Sequence, residues 1–88
     1  MIEEEQTMMT IPAYVPMDCA QYSRLEWAIL RQHPVRLRWR WRGLTHLERI
    51  FPIDLRTRRH AEYLLLFDHA ARRRIVRLDR IMGFDDLA

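Results

Sequence analysis

From Val35 through Arg36, Leu37, Arg38, Trp39, Arg40 and Trp41 to Arg42 the chain alternates apolar and basic residues without exception. A strict period of two puts every second side chain on one face only in a β-strand, so this stretch predicts a strand with one buried and one solvated face. Gly43 comes next, and a second strand-like run, Leu44 to Phe51, follows at once; Arg42-Gly43 therefore reads as the turn of a hairpin. The apolar face of the first strand must be covered. The opposite face sends the guanidinium groups of Arg36, Arg38, Arg40 and Arg42 into water or onto a partner.

Composition limits what can cover that face. The chain has 88 residues, 49% of them hydrophobic, which suffices for one domain with one small core. No apolar run approaches the roughly 20 residues of a membrane span, and Glu3, Glu4 and Glu5 give the N-terminus the wrong charge for a signal peptide. No membrane partner is expected. A single cysteine, Cys19, has nothing to pair with inside the chain, and the expected location is cytoplasmic. Cys19 itself is expected to be a small, semi-buried apolar residue.

The net charge of +3 hides a division along the chain. Residues 1–34 carry five acids against Arg24 and Arg31; residues 35–80 carry thirteen arginines against five acids; the tail adds Asp85 and Asp86. A basic middle lies between acidic ends. All fifteen basic residues are arginine, which is also what a codon bias produces, so the enrichment alone does not identify a ligand. Guanidinium groups do form bidentate carboxylate and phosphate contacts and stack on aromatic rings, and the acidic ends are expected to fold back onto the basic middle.

Residues 1–13 read as a flexible acidic leader and residues 14–88 as a single domain. Pro12 and Pro16 keep the entry to that domain extended. Asp18 is a good N-cap, Gln21 stands three residues on, and Pro34 stops the pattern, which predicts a helix over about residues 19–32. Cys19, Tyr22, Leu25, Ile29 and Leu30 share its expected apolar side, with Arg24 and Arg31 opposite. Glu26 falls inside the apolar arc and needs a partner, either a strand arginine of the same molecule or a basic group of another. Trp27 points away from that side, as an interface anchor or as a residue covered by the leader.

Beyond the first hairpin, the segment from Pro52 to His60 is basic and lacks strand alternation, so it reads as a loop or one helical turn. Ala61 to Phe67 is a strongly apolar strand, Asp68 to Ala71 a four-residue hairpin loop, and Arg72 to Leu78 the return strand. Residues 79–84 turn and supply a short fifth strand. The expected fold is mainly β in an α+β arrangement: an N-terminal helix on a strongly bent five-stranded sheet or barrel.

Catalytic and metal signatures are weak. His33, His46, His60 and His69 have no partner at i+3 or i+4, which argues against zinc. There is no glycine-rich phosphate loop, and the lone serine, Ser23, sits on the helix and not on a strained turn. Neither an enzyme nor a bound cofactor nor a small-molecule substrate is expected.

Taken together, Tyr14 to Cys19, Tyr22 with Leu25 and Glu26, Asp54-Leu55 with Arg58, Glu62-Tyr63-Leu64, and Arg77 to Ile81 resemble the Rof (YaeO) family of Rho-binding antiterminators over residues 14–84. The resemblance implies an N-terminal helix on a five-stranded Sm-like barrel. It also implies a protein that occupies the primary RNA-binding site of the transcription termination factor Rho and so inhibits Rho-dependent termination. The Rho contacts carried over are Asp18, Tyr22, Ser23 and Glu26 at the start of the helix and Arg58, Arg59 and His60 before the third strand. Two other classes stay open: a basic RNA-binding module using Arg36, Arg38, Arg40 and Arg42, and a protein-interaction adaptor. The RNA-binding class meets an obstacle, because period two sends Trp39 and Trp41 to the face opposite those arginines, whereas strand-surface RNA binders present aromatics and cations together.

Overall fold

Alternation and turn chemistry account for most of the architecture. The computed structural model describes residues 13–87. It contains α1 (Cys19–Arg31), β1 (Val35–Trp41), β2 (Leu44–Arg58), β3 (Ala61–Phe67), β4 (Arg73–Arg77), a one-turn 3-10 helix (Leu78–Arg80) and β5 (Ile81–Asp86). The five strands form one antiparallel sheet in the order β4-β3-β2-β1-β5. The fold is α+β with strands predominating, as the sequence implies. The sheet is not closed, since β4 and β5 are its two edges, so the expected barrel is an open, bent sheet.

The helix begins where Asp18 caps it, its carboxylate accepting from the Gln21 N–H at 3.2 Å. It ends where Gln32 turns left-handed (φ 58°) and the His33 N–H reaches the Ala28 carbonyl at 2.9 Å, with Pro34 unable to continue it. Leu25 and Ala28 are its buried residues, with Tyr22 and Ile29 packed alongside. The predicted apolar side is therefore rotated from the real one: Leu30 is 78% exposed, and Cys19 is exposed too. Ala28 is fully buried in the same core as the sheet residues, a position its small side chain permits.

The two predicted hairpin turns of β1–β2 and β3–β4 are present. Arg42 and Gly43 both adopt positive φ, 53° and 75°, the geometry that two-residue hairpins need to match strand twist. In the β3–β4 loop, the buried Asp68 carboxylate accepts from the Ala70 and Arg72 N–H groups, both at 2.9 Å. Its acidity follows: backbone hydrogen bonds, foremost that of Arg72, hold the carboxyl below the usual carboxylate range against the effect of burial.

The segment from Pro52 to His60 is not a loop. β2 runs on to Arg58, because one extra residue, Ile53, is accommodated between the Pro52↔Leu66 and Asp54↔Leu65 pairs. Residues Leu44 to Ile50 of β2 pair with β1, and residues Phe51 to Arg58 pair with β3. The bulge thus joins two half-sheets whose inner faces meet. Val35, Leu37, Trp39, Ile50 and Phe84 pack there with Leu64, Leu66, Val76 and Leu78, and Leu25 and Ala28 of α1 join the same core. Each fully buried Leu of this set contributes roughly 1.5–3 kcal/mol.

The acidic tail folds onto the basic strand as expected. In β5, Asp85 pairs in register with Arg36 and Asp86 with Val35, and the Asp86 carboxylate lies 3.5 Å from Nδ1 of His33. The leader, including Glu3 to Glu5, falls outside the described residues.

Candidate functional site

Past the bulge, one face of the β2–β3–β4 half-sheet is set by register alone. Arg56 sits opposite Tyr63 and Arg58 opposite Ala61; Leu65 sits opposite Ile75, and Phe67 opposite Arg73. Side chains of antiparallel partners share a face, so arginines from β2 and β4 flank the aromatic and apolar residues of β3. Arg56, Arg58, Arg59 and Arg73 thereby bound a groove of about 390 Å³ that includes Tyr63 and Ile75. Asp54 engages Arg56 at 2.8 Å, and this bond, followed by the N–H of Leu55, lowers the pKa of its carboxyl below the usual range. Arg58, Arg59 and Arg73 have no carboxylate partner among the described residues.

The tip of this groove is a strained turn. Arg59 and His60 both have positive φ, 51° and 66°, and connect Arg58 to Ala61 without a glycine. Two side chains held in the left-handed region cost about 1 kcal/mol or more each, and such strain concentrates where a side chain has a task.

Tyr63 and Ile75 also line an adjoining groove of about 540 Å³, bounded by Trp39, Trp41, Arg74 and Arg80. Here Arg80 lies 4.7 Å from the Trp41 ring centre, Arg42 5.6 Å from the same ring, and Arg74 5.8 Å from that of Trp39. Trp41 is 44% exposed, whereas Trp39 is buried and stacked on His46 at 5.1 Å. Within β1 the aromatics do face away from the arginines. The interleaving of rings and cations comes instead from neighbouring elements: Arg74 reaches the aromatic face from β4, and Arg80 directly precedes Ile81, which pairs with Trp39.

The residues singled out from sequence are divided among three places. Arg58 and Arg59 belong to the arginine groove, and His60 is exposed in the turn beside it. Tyr22, Ser23 and Glu26 line a different groove, between α1 and β2, while the Asp18 carboxylate is occupied with capping. Burial, then the negative charges of Glu62 and Glu26, raises the pKa of the Tyr22 hydroxyl above its ordinary value. Glu26 is exposed and makes no ion pair or hydrogen bond with any described residue, so the internal pairing with a strand arginine does not exist there. Arg36, Arg38 and Arg40 project from the outer face of β1, and Arg42 caps the hairpin tip against Trp41.

Sequence reasoning missed Arg56, Tyr63 and Arg73 as one group. A signal for them existed: a seven-residue strand, Ala61 to Phe67, after a two-residue turn requires a partner running back from Arg58, which places Arg56 opposite Tyr63.

No family model matches the chain, and no curated protein matches it. Among solved structures, it is similar to proteasome accessory factor B/C (PafBC) of Arthrobacter aurescens, with a TM-score of 0.72 and 22% identity over 83% of this chain. That likeness is one of fold, and this chain spans only 12% of the length of the PafBC chain.

Proposed function

We propose that the domain is a recognition module, not an enzyme, and that its ligand is a single strand of nucleic acid laid along the arginine groove and the adjoining aromatic groove. The observation that carries this reading is the convergence of Arg58, Arg59 and Arg73 around Tyr63 with no carboxylate to neutralise them among the described residues. Uncompensated guanidinium groups form bidentate contacts with phosphate, and a strand surface that alternates rings with cations suits unpaired bases. The continuity of the two grooves through Tyr63 and Ile75 gives room for more than one nucleotide. The occurrence of the same fold as a small part of a longer accessory factor supports reading it as a module.

Titration of labelled single-stranded oligonucleotides over a salt series tests this. Three phosphate contacts give a slope of log K against log salt of about −2 for a single strand. Arg73→Gln should flatten that slope by roughly 0.7. An affinity that ignores salt, or that Arg58→Gln and Arg73→Gln leave unchanged, removes the proposal.

A second reading follows from the resemblance to the Rof family: the α1 surface occupies the RNA-loading site of Rho and inhibits termination. What supports it is that Tyr22, Ser23 and Glu26 share one groove, with Glu26 unpaired among the described residues. Competition between this protein and RNA for purified Rho tests it. Wild-type protein that does not bind Rho eliminates this reading.

A further inference from the structure

The groove between α1 and β2 inverts the chemistry of the rest of the molecule. It measures about 610 Å³, and its lining holds two carboxylates, Glu26 and Asp54, but no basic side chain, in a protein whose net charge is +3. The Asp54 carboxylate is already engaged by Arg56 and by the Leu55 N–H. Glu26 is the one left without a partner among the described residues.

Apolar surface surrounds that carboxylate. Trp27 and Leu30 lie next to each other on the helix surface at i and i+3, and Leu30 is four residues from Glu26. They are 54% and 78% exposed, while Ile29 and Leu55 line the same groove half-buried. Arg31 stacks on the Trp27 ring at 4.5 Å and holds that rim in place.

We infer that this groove docks a short amphipathic helix of a partner protein, one that presents leucine-like side chains flanked by lysine or arginine. The apolar side chains seat against Leu30, Ile29 and Leu55, and a flanking cation meets Glu26. Charge complementarity selects a basic segment over an acidic one. The backbone selects a helix over a strand: β2 is paired on both sides, with β1 and β3, so the groove offers no free sheet edge to which an extended peptide could add.

The groove shares Tyr22, Ser23 and Glu26 with the surface that the Rho reading uses, but the inference does not depend on Rho or on nucleic acid. A test with a peptide separates it from both. The probe is a helical peptide of about 14 residues with leucines at i, i+3, i+4 and i+7 and arginines on either flank, titrated into the full chain while backbone and indole amide resonances are followed. Two control peptides replace the leucines by glutamine or the arginines by glutamate.

Shifts should concentrate at Trp27, Leu30 and Leu55, and both control peptides should bind at least about fivefold more weakly. Leu30→Ser and Glu26→Gln should each weaken the parent peptide by a similar factor. Both positions are exposed, so the variants should melt as the wild type does; Trp27→Gln serves as a third probe should either fold poorly. Shifts elsewhere on the molecule, or Leu30→Ser and Glu26→Gln variants that bind the parent peptide as tightly as the wild type does, overturn the inference. So does preference for the glutamate peptide.

Discussion

The guanidinium group of Arg80 lies 4.7 Å from the centre of the Trp41 ring. The two are 39 positions apart in the chain and belong to a 3-10 turn and to the far end of a strand, yet they meet at the groove that Trp39 and Arg74 also line. Within β1 no cation shares the face of Trp41, since Arg36, Arg38 and Arg40 all point the other way; Arg42 of the turn and Arg80 supply the cations at its ring. Ile81 of the adjacent β5 pairs with Trp39, and the 3-10 turn that ends at the preceding residue brings Arg80 to the ring. An open sheet with unpaired edges would ordinarily invite further strands, and the arginine-rich β4 edge discourages that while keeping the aromatic face accessible.

The inner face of β1 is the core, and substitution should reveal it. Trp39 is 4% exposed and packs among Leu37, Ile81 and Val76 in one cluster, so Trp39→Ala should cost about 3–5 kcal/mol. Arg38 is exposed, and Arg38→Ser should cost well under about 1 kcal/mol. Denaturant melts of the two variants check this, and near-equal midpoints would mean that the faces are assigned wrongly.

Stability should fall in acid through two aspartates. For Asp79, burial pushes the carboxyl up, but hydrogen bonds from Arg77 and from the Val15 N–H, together with the nearby arginine charges, bring it below the ordinary value. Asp68 is held low by backbone N–H groups. A carboxyl with a depressed folded-state pKa stabilises fully above its unfolded pKa of about 3.9 and loses that contribution as pH falls through the folded value. The melting temperature should therefore be flat from neutrality to about pH 5 and decline below about pH 4. Asp79→Asn should lower the plateau and soften the decline, as thermal melts between these limits would show.

Glu26 gives a sharper contrast between pattern and structure. Its place in the apolar arc demands a partner, but α1 is rotated so that Ala28 and Leu25 face the sheet and Glu26 faces solvent. Glu26→Arg should leave the melting temperature unchanged within a degree or two, because an exposed, unpaired carboxylate contributes little. A large drop would restore the internal ion pair.

How much of this could be read beforehand depended on contrast between neighbours. β1 was legible because each apolar residue stands beside an arginine, so one register satisfies every position. β2 beyond Phe51 was not. Pro52 and the extra residue at Ile53 break the period, and on the far side Leu55 is the one apolar residue among Asp54, Arg56, Thr57 and Arg58, too short an alternation to restore it. The orientation of α1 was misjudged because Leu30 outweighs Ala28 in hydrophobicity, whereas close packing on the sheet favours the smaller side chain. Arg58 and Arg59 were found through a family pattern, but their neighbours Tyr63 and Arg73 come together only through strand pairing. No local pattern reports that.

The turn at Arg59 and His60 should trade stability for placement of a charge. Both residues are left-handed, His60 at φ 66°, where a side chain crowds the backbone and glycine does not. His60→Gly removes that crowding and keeps the Arg59 guanidinium, at the expense of a more flexible unfolded chain. The net gain should be a few tenths to about 1 kcal/mol, a rise of a few degrees in a domain of this size. Affinity for single-stranded oligonucleotide should be unchanged in His60→Gly and reduced about threefold to tenfold in Arg59→Asn, since only the second removes one of the proposed phosphate contacts. Equal loss of affinity in the two variants would mean that the conformation of the turn, and not the arginine, is what the ligand reads.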